Sequence, residues 1–154
     1  MKLATPHALA LAAGLALALF AAPSSAQTEA QPPLQSIRLN AGIHVITAEI
    51  AESADERATG LMFRERMAPN AGMLFVFPAP FAQCFWMRNT ILPLSIAFIA
   101  DDGTVVNIED MKPQSTDSHC ADKPVRYALE MNQGWFAKRG IKPGTRLHGA
   151  PFAP

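Results

Sequence analysis

The chain has 154 residues, and its 13 Lys and Arg side chains balance 13 Asp and Glu side chains, so that it carries no formal net charge at pH 7. A balanced chain without a basic run has no long-range field to attract nucleic acid or an anionic membrane, so nucleic-acid binding is disfavoured. Its length is enough for a single domain with one hydrophobic core.

Residues 1–26 have the pattern of a secretory signal peptide. Lys2 precedes an apolar run at residues 8–22, and small residues ending in Ala26 follow it. This run is shorter than the roughly 20 residues that cross a bilayer, so we predict cleavage after Ala26 rather than an anchor. We therefore expect a periplasmic or secreted protein with no stable membrane insertion of the mature chain. Residues 27–33 are polar and proline-rich and are predicted to be a flexible leader to a single β domain at residues 34–154.

Two cysteines, Cys84 and Cys120, remain in the predicted mature chain. An even pair in an oxidising compartment favours one disulfide between them. Two buried thiols, or a metal site in which His119 joins both cysteines, are the alternatives.

The first predicted elements are two strands, at residues 35–39 and 43–50, joined by a short turn that contains Gly42. Ser53 and Glu56 then form a capping-box pattern, because each side chain can accept a hydrogen bond from the other residue's backbone N–H. The pattern predicts a helix at residues 54–59 that ends at Gly60.

The rest of the chain alternates apolar runs with turn signals, of which Asp101-Asp102-Gly103 is a strong hairpin signal. Residues 125–132 alternate as a strand with one apolar and one largely polar face. The further predicted elements are strands at 72–77, 84–88, 94–100, 104–110 and 145–148, a polar loop at 111–124 and a short helix at 134–139. Seven or eight strands with two short helices indicate a mainly β fold, a small antiparallel sandwich or partly closed barrel.

Five ordered motifs connect the chain to a known family. They are GLMFR (60–64), GMLFVF (72–77), FWMRNT (85–90), the hairpin at 101–106 and LEMNQG (129–134). In order and spacing they closely resemble the domain-of-unknown-function 192 family. The resemblance implies a mainly β, jelly-roll-like fold, and it implies a protein of a kind that bacteria often export. The family has no settled activity, so the resemblance supplies no catalytic residues.

The residues with the most chemical potential surround this same region, while the common hydrolase, zinc-protease, nucleotide and thiol-redox motifs do not occur. The candidate set is Arg57, Arg64, Trp86, Arg88, Asn89, Thr90, Glu130 and Asn132. In a strand over 84–90, Trp86, Arg88 and Thr90 share one face. An aromatic plate among such groups suits a sugar or an anionic small molecule. In the structural alternative, Trp86 is a core residue and Arg57 or Arg64 pairs with Glu130 or caps a helix.

These observations support three hypotheses. The first is an exported β domain that binds a small polar ligand, such as a glycan or envelope fragment. The second is an enzyme on envelope carbohydrate or peptide that uses Glu130 as acid or base, which requires a second carboxylate nearby. The third is a non-catalytic structural partner of an envelope complex.

Six methionines with His119 or His148 could suit copper, but they lie mostly in apolar runs, so no metal or cofactor is expected.

Overall fold

The computed structural model of the protein describes residues 28–152, so the predicted signal peptide lies outside the described residues. The elements are β1 (Ser36–Ala41), β2 (His44–Ala51), α1 (Ala54–Thr59), β3 (Ala71–Phe81), β4 (Cys84–Phe85), β5 (Leu94–Ile99), β6 (Val105–Met111), β7 (His119–Cys120), β8 (Val125–Asn132), a 3₁₀ helix (Ala137–Arg139) and β9 (Leu147–His148). None of the helices within residues 28–152 has the length and apolar character that a membrane crossing requires.

Seven strands form one curled, half-barrel sheet in the order β6-β5-β8-β3-β2-β1-β9, and β4 pairs with β7 in a separate two-stranded sheet. The predicted mainly β fold with a partly closed barrel is confirmed. One pair departs from the antiparallel expectation, because β2 and β3 run parallel. Parallel neighbours need a crossover connection, and α1 lies in it.

Helix α1 has the bounds that its capping pattern predicts. The Ser53 hydroxyl accepts a hydrogen bond from the Glu56 N–H at 3.2 Å, and the Glu56 carboxylate accepts one from the Ser53 N–H at 2.8 Å. The helix ends at Gly60, whose φ of 50° lies in the left-handed region that favours glycine. Just before the domain, Gln31 in the predicted leader donates hydrogen bonds to the carbonyls of Glu56 and Gly60, so this residue is attached to α1.

The prediction of a strand at 84–88 is wrong beyond Phe85. Met87 donates its backbone N–H to the Ser115 carbonyl, and Thr90 donates to the Met87 carbonyl in a turn. Asn89 occupies the centre of this turn with a φ of 57°. Because the chain turns here, the two-residue alternation that placed Trp86, Arg88 and Thr90 on one face does not apply.

Strand β8 was predicted to have one largely polar face, and this is also wrong. It lies between β3 and β5 near the middle of the sheet, and five of its eight residues in succession, Tyr127 to Met131, are buried. Alternate residues of this strand belong to hydrophobic clusters on opposite faces of the sheet, so both sets of side chains are removed from water. Glu130 is therefore only 4% exposed.

Shorter elements replace three other predictions. The predicted loop at 111–124 contains β7, the predicted helix at 134–139 is a 3₁₀ turn at Ala137–Arg139, and the last strand is limited to Leu147–His148.

The two faces of the sheet carry separate hydrophobic clusters. The first core combines sheet residues with the C-terminal segment, including Trp135, Phe136 and Ile141. The second core lies on the other face, where Met73 and Phe75 pack with Leu61 and Met87 from the segments around α1 and β4. The candidate site lies on this second face.

Candidate functional site

A partly open cavity of about 280 Å³ lies between the second face of the sheet and the segments that cover it. Two covering segments, the end of α1 and the segment around β4, form its wall together with strands β3 and β8. The lining residues are Arg57, Ala58, Thr59, Gly60, Leu61, Met62, Phe75, Phe77, Gln83, Cys84, Phe85, Trp86, Thr90 and Glu130. The volume is near the lower end of the range for small-molecule sites, about 300–1,000 Å³.

Glu130 is the one carboxyl group in this lining, as far as residues 28–152 are concerned. Its position on β8 is opposite Met73 of β3 and Ile96 of β5, both fully buried. In the described part of the chain no group donates a hydrogen bond to its side chain or forms an ion pair with it, and burial raises the pKa of its carboxyl from 4.5 to about 8. The carboxyl group is therefore mostly protonated at neutral pH.

Aromatic side chains make up much of the remaining wall. Phe85 contacts Phe75 and Phe77 edge to face, with ring centroids 4.9 and 6.2 Å apart. Trp86 lines the cavity while 48% of its surface stays exposed, which places it at the rim. Aromatic walls with a few polar groups are typical of small-molecule sites.

The segment that contributes Phe85 and Trp86 is fixed by a disulfide. Cys84 and Cys120 are joined, as the sequence predicts, and they also face each other in the β4–β7 ladder. Neither sulfur is therefore free to act as a metal ligand, unlike in the alternative with His119. His119 instead contacts Glu109, with 2.6 Å between its Nδ1 and the carboxylate. Among the described residues no group of three or more His, Cys, Asp or Glu side chains could hold a metal ion.

Arg57 lines the cavity at the end of α1. Its guanidinium donates hydrogen bonds to the backbone carbonyls of Glu52 and Val76 and lies 5.2 Å from the centre of the Phe77 ring. These contacts orient the side chain, so that one fixed cation is part of the lining. Arg57 does not pair with Glu130, in contrast to the structural alternative.

Arg64 and Asn132 are not among the residues that line the cavity, and both have structural partners. The Arg64 guanidinium forms two hydrogen bonds with the Glu49 carboxylate, at 3.1 and 2.9 Å. Asn132 donates to the carbonyls of Met67 and Ala68. The sequence analysis grouped these two residues with Trp86 and Glu130. In the structure their hydrogen bonds instead attach the connection between α1 and β3 to the sheet.

Arg88, Asn89 and Thr90 lie in the turn that follows Trp86. Arg88 is exposed, with its guanidinium 5.6 Å from the centre of the Trp86 ring, so it contacts the rim from outside the lining. Asn89 accepts the Phe63 N–H through its backbone carbonyl. Thr90 is buried and lines the cavity. Of the eight candidate residues, the cavity thus brings together Arg57, Trp86, Thr90 and Glu130.

Sequence reasoning did not identify Thr59 as a lining residue. It is the last residue of α1, is 7% exposed, and lies immediately before the helix-ending glycine. A threonine at the end of a short capped helix gives no functional signal by itself. Its role in the lining depends on α1 lying over β3, which only the fold determines.

Comparison with known proteins agrees with this fold. The family model described as "Uncharacterized ACR", domain of unknown function 192, matches residues 36–149. A solved structure from Sinorhizobium meliloti 1021, described as a candidate transcription regulator, is 40% identical, with a TM-score of 0.74, and the match covers 78% of this chain and 98% of that one. A protein of unknown function from Novosphingobium aromaticivorans DSM 12444 is 37% identical, with a TM-score of 0.72, over 75% of this chain and 86% of that one.

Among curated proteins none matches the chain. The family model covers most of the sequence and both solved structures share its fold. This chain therefore belongs to the domain-of-unknown-function 192 family.

Proposed function

We propose that this protein binds a small polar ligand, such as one sugar ring of a glycan or envelope fragment, in the cavity beside Glu130. The observation that carries the proposal is the Glu130 carboxyl group, which is buried, has no hydrogen-bond or ion-pair partner among residues 28–152, and lines an open cavity. A buried polar group without a hydrogen bond costs about 1–3 kcal/mol of stability, and a ligand that bonds to it recovers part of that cost.

The wall of the cavity supports a ring-shaped ligand. Phe75, Phe77 and Phe85 offer apolar contact inside, and Trp86 offers an exposed ring at the rim. A sugar presents apolar C–H groups on its face and hydroxyls at its edge, so it can contact these rings while bonding to Glu130 or Thr90. The small volume favours a single ring over a longer chain.

The enzymatic alternative has less support. Glycoside hydrolysis generally uses two carboxyl groups about 5–9 Å apart across the bond, and within residues 28–152 the cavity lining contains only Glu130. We therefore favour binding over this two-carboxylate chemistry.

Export is part of the same proposal. The signal-peptide pattern of residues 1–26 supports it, and the disulfide between Cys84 and Cys120 is compatible with an oxidising compartment.

A thermal-shift screen with monosaccharides, cell-wall fragments and metal ions tests the function. We expect one or more of the sugars or fragments to raise the melting temperature, because a ligand that binds only the folded state stabilises it. Trp86→Ala should remove most of that shift, since it removes the rim ring.

Phe81→Ala is the matched control. Phe81 is an aromatic residue at the end of β3, 69% exposed and outside the lining, so its removal should leave the shift intact. Equal losses in both variants would mean that the ligand binds elsewhere. No shift with any compound would favour the third hypothesis, a structural partner of an envelope complex.

A further inference from the structure

The buried end of the cavity, where Glu130 lies, is called its floor here. Its side chains restrict the class of ligand that can bind. We propose that the buried end of the ligand is an acylated amine, whose carbonyl oxygen accepts a hydrogen bond from the Glu130 carboxyl group and whose short apolar group contacts the surrounding side chains. This inference rests on the ligand-binding function proposed above and specifies the class of molecule bound.

The surroundings of Glu130 require a mixed polar and apolar partner. Its neighbours across the sheet, Met73 and Ile96, are fully buried and apolar, and the Phe75 ring lies in the wall beside it. A ligand group that bonds to the Glu130 carboxyl therefore also meets apolar side chains of the lining, among them Leu61 and Phe75. An acyl group, with a carbonyl next to a methyl, satisfies both demands, whereas a hydroxyl alone leaves the apolar surface without a contact.

The charges around the floor disfavour a cationic ligand. From α1 the lining includes Arg57, and β3, β5 and residues 83–90 place no other charged side chain in it, within the described chain. Arg126, four residues earlier on β8, approaches Asp101 to 3.5 Å. Burial raises the pKa of Glu130 to about 8, so at neutral pH its carboxyl donates a hydrogen bond and does not offer a negative charge. A protonated amine would meet the Arg57 cation and a donor.

Three sugars test this directly because they share one ring and differ at one carbon. N-acetylglucosamine carries an acetamido group there, glucose a hydroxyl and glucosamine an ammonium. In a ligand-observed NMR titration at about pH 7, we expect N-acetylglucosamine to bind about tenfold more tightly than glucose, and glucosamine to bind most weakly.

The outcomes separate this inference from the proposed function. Equal binding of N-acetylglucosamine and glucose, or tightest binding of glucosamine, would overturn the inference while sugar binding stands. If none of the three binds but a sugar or fragment without an acylated amine raises the melting temperature in the thermal-shift screen, the inference fails and the proposed function survives. If nothing in either experiment binds, both fail.

Variants of Glu130 test how the carboxyl contributes. Glutamine keeps a donor at the same place without ionising, so E130Q should weaken N-acetylglucosamine binding by no more than about threefold, whereas E130L, without a donor, should weaken it about tenfold. Wild-type binding should fall as the pH rises from about 7 to about 9, since the carboxylate cannot donate, and E130Q should lose this pH dependence. Loss of binding in E130Q equal to that in E130L would show that a hydrogen-bond donor at this position does not hold the ligand and would overturn the inference.

A matched acidic control is available in Asp117. It lies exposed in the loop before β7, outside the cavity lining. D117N should bind N-acetylglucosamine like the wild type at each pH. A pH dependence altered equally in D117N would assign the effect to general surface charge and not to Glu130.

Discussion

The two faces of the curled sheet are built from the same strands but are covered differently. On the first face, Trp135, Phe136 and Ile141 are at most 6% exposed and close the core. On the second face, α1 and the segment around β4 leave a cavity of about 280 Å³. The strands do not cause this difference, since both faces use alternate residues of β3, β5 and β8. The covering segments therefore determine how completely each face is closed.

Strand β8 shows the difference within three consecutive residues. Leu129 and Met131 point into the first core and are fully buried among apolar side chains. Glu130, between them, points to the second face, where its carboxyl group borders open space. An ionisable side chain is tolerated more easily where the covering is incomplete, because nearby water or a ligand can reduce the cost of its burial.

The largest expected effect compares truncations on the two faces. Phe136→Ala should lower the free energy of unfolding by about 3–5 kcal/mol, because it leaves a cavity in a closed core. Phe77→Ala should cost only about 1–2 kcal/mol, because Phe77 is half-buried beside existing open space. Urea denaturation of both variants gives the two values. Similar losses would show that the two faces are equally well packed.

The disulfide should matter next, and mainly for the open face. Replacing Cys84 and Cys120 together with serine should cost about 2–4 kcal/mol, because the unfolded chain regains the freedom of the closed loop. Hydrogen exchange should then increase around β4 and β7 more than around Trp135. A uniform increase across both faces would contradict a local role for the bridge at the cavity wall.

The third effect concerns Glu130 and accumulates gradually with pH. Its pKa is raised from 4.5 to about 8 in the folded protein, so between these values the folded state keeps a proton that the unfolded state releases. The contribution of Glu130 to the free energy of unfolding is complete below the unfolded pKa. As the pH rises from the unfolded pKa to the folded pKa, this contribution is lost at about 1.4 kcal/mol per pH unit.

Glu130→Gln removes this titration from the folding equilibrium. The stability difference between the variant and the wild type should therefore shift in favour of the variant as the pH increases from about 5 to about 8. Urea midpoints at several pH values measure it. Parallel stability curves for the two proteins would mean that burial does not raise the pKa of Glu130 in the folded protein.

Capping and turn patterns in the sequence correctly predicted the elements that short-range contacts determine. The capping box of Ser53 and Glu56 gave α1 its bounds, and Asp101-Asp102-Gly103 placed the β5–β6 hairpin. The wrong assignment at 84–88 arose because an apolar run was interpreted without the turn at Asn89. Met87, where that turn begins, donates its backbone N–H to the Ser115 carbonyl, and such a long-range partner cannot be inferred from local periodicity.

The candidate site was predictable only in part for the same reason. Trp86, Arg57 and Glu130 were recognisable as unusual residues in or near apolar runs, and the cavity does contain all three. The partners of Arg64 and Asn132 were not predictable, because Glu49 and the carbonyls of Met67 and Ala68 are brought to them by sheet pairing. The burial of Glu130 likewise depends on the segments that pack over the second face of β8.

The position of the disulfide along the chain has a consequence for how fast the protein folds. The central pair β3–β8 joins strands that are distant in sequence, and Phe81 at the end of β3 pairs with Val125 at the start of β8. Cys84 and Cys120 lie just inside these two ends, so the bridge bypasses 36 positions of the connection. A shorter effective loop lowers the entropy lost when its ends meet. A chain oxidised before it folds should therefore form the centre of its sheet sooner than a reduced one.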